Sequence, residues 1–139
     1  MKTIFNLFVM AVLLLVVSSP CFALWGHENV SKARAKELGM EFRSEPTGPN
    51  EVGVDLEFKT EGELKNFSQV DLRIGEGDNP PVTAPLREDR SKPGRVAVRF
   101  YADRGQLDKL SLWIRVPGGA GGTIYHLRAG DFVEPKKDR

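Results

Sequence analysis

Cysteine is almost missing from this chain, with only Cys21 among 139 residues, and histidine occurs only twice. A single thiol cannot close an internal disulfide. A zinc centre wants three or four converging His, Cys or carboxylate ligands, so two distant histidines, His27 and His126, are a poor start and no metal or other cofactor is predicted. An excess of one charge is missing too: 20 basic side chains stand against 19 acidic ones. Nucleic acids and anionic membranes both select for basic surface, so neither is expected as a target. Beyond the first residues there is no long apolar run, whereas a membrane-spanning helix needs about 20 apolar residues. Serines are few, and none of Ser31, Ser44, Ser68, Ser91 and Ser111 has the tight Gly-x-Ser-x-Gly setting that exposes a nucleophile.

The one long apolar run opens the chain. Lys2 is the only charge before Leu24, Ile4 to Val17 is almost unbroken, and Ser18-Ser19-Pro20 ends it ahead of Cys21-Phe22-Ala23. A charged start, a short apolar stretch and small residues before a cut describe a secretory signal peptide over residues 1–23, so a secreted or periplasmic product is expected. Cleavage after Ala23 removes the cysteine together with Lys2, leaving acids and bases level at 19. Cleavage just before Cys21 would give a lipid-modified terminus, but Pro20 fits that processing poorly.

Residues 24–38 read as a polar lead-in followed by a short helix. Ser31 is a good N-cap, Lys32 to Leu38 is rich in helix formers, and Gly39 suits the stop. Such a helix is too short to stand alone and must dock. From Met40 the period becomes two. Met40 and Phe42 alternate with charged residues, as do Val52 to Phe58, Val70 to Ile74, Val96 to Phe100 and Leu110 to Val116, and Thr123 to Leu127 completes the series. Alternation marks strands with one buried and one solvated face. Val82 to Leu86 contains Pro85 and can only be an edge strand or an extended connection. Turn signals lie between the runs, at Pro46 to Asn50, Gly75 to Pro81, Lys92-Pro93-Gly94 and Pro117 to Gly122. The expectation is an all-β, two-sheet antiparallel sandwich of about seven strands over residues 39–134, with a small barrel as the alternative and a charged tail over 135–139.

Strand number and spacing over Met40 to Val133 resemble those of immunoglobulin-like and fibronectin-type domains, without the disulfide and buried tryptophan of antibody domains. The layout of Leu38-Gly39-Met40-Glu41, Leu56-Glu57-Phe58-Lys59, Gln106-Leu107 and Asp131-Phe132-Val133 resembles small, uncharacterised secreted bacterial proteins. That likeness implies secretion and a sandwich; it brings no ligand and no activity.

Several stretches look like chemistry but have plainer readings. The Glu76-Gly77-Asp78-Asn79 segment has oxygen donors for calcium yet lacks the spaced acids of an EF-hand loop, and it reads as a turn. Gly118 to Gly122 has neither a following helix nor a lysine, so it reads as a hairpin and not a phosphate cradle. Asp55, Glu57 and Asp71 face outward among Lys59 and Arg73, which suggests solvated cross-strand pairs and no acid–base machinery.

The outward phase of two strands is more informative. Trp113 and Arg115 point away from the core on one, and Arg99 and Tyr101 on the other. If the two strands share a sheet, these four residues form an aromatic–basic patch of the composition found at interface hot spots. The alternative is that Trp113 lies beneath a long neighbour, with arginines snorkelling over it. The expectation is a non-catalytic exported module that contacts a protein partner or a cell-envelope polymer through Trp113, Arg115, Tyr101 and Arg99. A carbohydrate-binding accessory module is the alternative, and a carboxylate-based hydrolase the less favoured one.

Overall fold

The computed structural model describes residues 24–75 and 82–135. The predicted signal peptide, Cys21 and the Glu76–Asn79 turn lie outside the described residues, as does all of the predicted tail but its first residue. Nine strands occur among the described residues: β1 (Leu24–Asn29), β2 (Met40–Pro46), β3 (Glu51–Lys59), β4 (Gln69–Ile74), β5 (Val82–Pro85), β6 (Glu88–Asp89), β7 (Arg95–Asp103), β8 (Leu110–Gly118) and β9 (Gly121–Arg128). Two short helices accompany them, α1 (Lys32–Glu37) and α2 (Ala129–Phe132), with 3₁₀ turns at Gly62–Leu64 and Arg104–Lys109. No described helix is long and apolar enough to cross a membrane.

The strands form two sheets, one ordered β1-β9-β8-β4-β5 and the other β2-β3-β7-β6. Every pairing is antiparallel except β1 on β9. Most of the period-two residues predicted to face inward do so; Ile74, at the end of β4, is exposed instead. Val52, Val54, Leu56 and Phe58 of β3, Val96, Val98 and Phe100 of β7, and Leu110, Leu112 and Ile114 of β8 are buried in one cluster with Val70, Tyr125 and Leu127. Phe58 and Phe67 meet edge to face with centroids 5.0 Å apart inside it. Alternation thus produces a β-sandwich because each sheet has an apolar face that only the other can cover.

The short elements follow local chemistry. The Ser31 hydroxyl accepts from the Arg34 amide at 3.2 Å, and Gly39 takes φ = 72° just past the helix, a conformation that disfavours side chains. Ala35 docks α1 on the sandwich, and Arg34 clamps it further, donating to Glu28 at 2.7 Å and to Glu63 at 2.6 Å. The predicted hairpin at Gly118 to Gly122 joins β8 to β9, with Gly118 opposite Gly121 and Gly119 at φ = 55° in the turn. β5, with its proline, is the outer strand on β4.

Two strands go beyond the seven expected, the two-residue β6 and the lead-in. The polar lead-in Leu24–Asn29 is a strand, paired in parallel with Gly121–His126. Its two faces do not alternate cleanly in polarity, because an edge strand of this kind is stabilised by its backbone ladder and by two rings, Trp25 against Gly122 and His27 against His126.

Candidate functional site

The two sheets separate the four residues expected to form one patch. Trp113 and Arg115 lie on β8 of the five-stranded sheet, whereas Arg99 and Tyr101 lie on β7 of the other. A shared phase within each strand says nothing about which sheet a strand joins, so the single patch is replaced by two surfaces. On β7, Arg99 is engaged. It grips Asp55, its cross-strand partner, through two bonds of 2.6 Å and reaches Glu45 at 3.1 Å. Tyr101 is 57% exposed, with its ring edge over Gly53, where a side chain would be crowded. Glu57 is likewise held by Arg95 and by Lys92 at 3.2 Å, contacts that lower its proton affinity in that order. The reading of cross-strand pairs holds on this sheet.

It fails for Asp71. This carboxylate is 1% exposed on the outer face of the five-stranded sheet, opposite Trp113. It accepts from Gln69 and from Arg115 Nε at 3.1 Å. A buried carboxylate must be paired, and Arg115 supplies the charge. Arg115 is therefore anchored inside the site.

Trp113 is only 6% exposed yet stands apart from the core cluster, as does Ile124. Both belong to a second, outer layer on the solvent side of the sheet. The Arg73 guanidinium lies over the Trp113 ring at 3.3 Å from its centroid, and the His126 ring packs against the indole at 3.9 Å. The indole N–H donates to Ser111 Oγ at 3.1 Å. His27, from β1, meets the indole edge at 5.8 Å and places its Nδ1 2.7 Å from His126 Nε2. The arrangement follows from register. Trp113 faces Asp71 on one side and His126 on the other, while Arg73 faces Ser111, so one outward row carries all of these groups.

Arg73 is the least satisfied member. Its Nε is buried and has no hydrogen-bond partner among the described residues. The acid on its own strand, Asp71, is already taken by Arg115. Burial first, and then the Arg115 charge, disfavour the charged guanidinium, and arginine keeps its proton nonetheless. The site thus holds a cation at a free-energy cost that an anion would relieve.

Beside this row lies a cleft of about 520 Å³ where β1, β8 and β9 end. Trp113, Ser111, His126 and Arg128 line it from the sheet, while Asp108 and Asp131 line it from the 3₁₀ turn and α2. Its volume suits a small group or a chain segment. The sequence reading missed Arg73, the burial of Asp71, and the convergence of His27 with His126. The shared outward phase of Asp71 and Arg73 was a usable signal; nothing in the sequence paired residue 27 with residue 126.

No family model matches this chain, and neither a curated protein nor a solved structure was found to match it.

Proposed function

We propose that this protein is an exported, non-catalytic contact module, and that the outer face of its five-stranded sheet binds an acidic protein partner or an acidic cell-envelope polymer. The observation that carries this reading is Arg73, stacked on Trp113 with a buried Nε that has no acceptor among the described residues. Unmade hydrogen bonds of a buried charged donor are costly, and a carboxylate accepts from a guanidinium with two matched oxygens. Arg115 and Trp113 keep the place expected for them in this reading; Tyr101 and Arg99 would belong to a separate surface. Export rests on the signal-like pattern of residues 1–23.

The immunoglobulin-like type of sandwich is part of the same proposal. Such domains order their strands ABED in one sheet and GFC, with an added C′, in the other. Taking β2 as A, the orders β2-β3-β7-β6 and β9-β8-β4-β5 follow that scheme, which supports the reading.

A carbohydrate-binding module is less favoured, because Trp113 offers no bare ring: Arg73 and His126 cover it. The hydrolase reading gains one observation, since Asp108 and Asp131 line a single cleft. Acid–base work, however, needs one carboxyl shut away from water, and both are exposed.

The test is binding of acidic polymers and of an envelope extract by wild type and by Arg73→Gln. Capture that falls at least tenfold in the variant, with an unchanged thermal midpoint, is expected. Equal capture by both would place the contact elsewhere. Trp113→Ala is a poor probe, because it removes a buried ring and would disturb the fold as well as the face.

A further inference from the structure

The two histidines of the chain come from opposite ends of the described fold and meet at the wall of the cleft. His27 Nδ1 and His126 Nε2 lie 2.7 Å apart, a hydrogen-bonded pair in which one nitrogen donates and the other accepts. Such a pair can take up one proton and keep its bond, because an imidazolium N–H donates to the remaining lone pair more strongly than a neutral one. A second proton would set two N–H groups against each other at that distance. The pair therefore stores one proton and resists two.

We infer that the cleft beside Trp113 and His126 receives a carboxylate of an acidic peptide segment, and that its binding is coupled to uptake of one proton by the His27–His126 pair. This rests on the contact-module reading and assigns its ligand and its regulation. Among the described residues the charges around the pair are mixed. Arg73 reaches from β4 over Trp113, the ring on which His126 packs, and Arg128 and Lys109 line the cleft with His126. Against them stand Asp71, already engaged by Arg115, and Asp108 and Asp131 on the cleft's other elements. Glu28, on the pair's own strand, is turned to Arg34. A carboxylate held beside the pair attracts a proton to it, and the protonated pair in turn attracts the carboxylate. Histidine is the side chain whose charge ordinarily changes between about pH 5 and 8, and the test spans that range.

A peptide is favoured over a glycan by what the cleft presents. The aromatic surface is covered, which removes the stacking platform a sugar would use. The donors are guanidinium and imidazole, suited to carboxylates, and the acceptors Asp108 and Asp131 suit peptide N–H groups.

The experiment is calorimetric titration of the purified protein with a Glu-Ser repeat octapeptide at pH 5.8 and 7.8, in buffers of different ionisation enthalpy. Glutamate stays ionised throughout this range. Affinity should rise about three- to tenfold on acidification, with uptake of up to one proton per peptide. His27→Gln/His126→Gln, which leaves no histidine in the chain, should flatten the slope and abolish the uptake. NMR titration of the two imidazoles in wild type, with and without peptide, reads the same coupling without a variant. It should record one proton entering the pair at higher pH when peptide is present.

Binding without a pH slope, or a slope that persists in the histidine-free variant, would overturn the inference. So would an oligogalacturonate that binds with the same coupling while the peptide does not bind. Peptide binding that is pH-independent but weakened by Arg73→Gln would sink the proton coupling and leave the contact face standing. Indifference to Arg73→Gln would remove the contact face itself.

Discussion

Replacing Gly121 by alanine should lift the first strand from the sheet. A Cβ built on Gly121 overlaps the carbonyl oxygen of Leu24 and lies 2.5 Å from its carbonyl carbon, both backbone atoms that no side-chain rotation can move. Ordinary contact starts near 3.4 Å, so Leu24 must retreat by about 1 Å or more, enough to break well-formed ladder bonds at that end of β1. Losing two or three such bonds at about 1 kcal/mol each, with part of the packing of Trp25, costs about 2–3 kcal/mol. Because β1 is an edge, the rest of the sandwich should stay folded, with a midpoint lowered by about 5–15 °C. Gly118, the cross-strand partner in the same hairpin, is the control: a Cβ there meets nothing within 4 Å, and Gly118→Ala should change stability by less than about 0.5 kcal/mol. The assay is thermal unfolding of both variants with amide exchange at Leu24 to Asn29. Equal midpoints and unchanged protection in Gly121→Ala would refute the close approach of β1 to β9.

Tyr125 gives a pH test. Burial, then its hydrogen bond to Glu63 at 2.9 Å, push the phenol from 10 up to about 12. The folded state holds this proton more tightly than the unfolded chain, so the associated stability is complete below about pH 10 and is lost as pH rises toward 12. Absorbance titration should find one of the two tyrosines ionising late, and Tyr125→Phe should remove that late step and flatten the alkaline loss of stability. At the outer site, Asp71→Ala should cost about 1–3 kcal/mol, below a fully buried pair because Arg115 is a third exposed and rehydrates. Arg115→Leu added to it should recover part of that loss, and a double-mutant cycle by denaturant unfolding that returns no coupling would refute the pair. In the core, Phe58→Ala should cost about 3–5 kcal/mol by the same assay, since the ring is fully buried and meets Phe67.

How much was legible in the sequence follows from what decides each feature. The long strands from Met40 to Leu127 were readable because burial on one face writes itself as alternation, and α1 because Ser31 and Gly39 mark its ends; the two-residue β6 is too short to carry such a signal. β1 was not readable, since an edge strand placed by its backbone needs no apolar period. The glycines that admit it, Gly121 and Gly122, were read only as a turn, although a Cβ on Gly122 would lie 2.6 Å from the Trp25 ring. Outward phase correctly put Trp113 and Arg115 on a solvent-side face, but burial on that face depends on neighbours across strands. Arg73 and His126 cover the indole, and Asp71 is sealed beneath its partners. Joining Tyr101 and Arg99 to them required the sheet order, which phase does not contain.

The parallel ladder between the first and last described strands also constrains when the sheet can be completed. Leu24 pairs with Gly121 and Asn29 with His126, so β1 has no place to sit until residues almost a hundred positions later have been synthesised. Contacts of that span form late, because a long loop must close before they return any stabilisation. A ribosome-bound chain would therefore carry β1 unpaired and the imidazole pair unmade. The outer layer around Trp113 is complete only once β9 is in place, and a fragment cut ahead of Gly121 would lack its Ile124 and its His27–His126 pair.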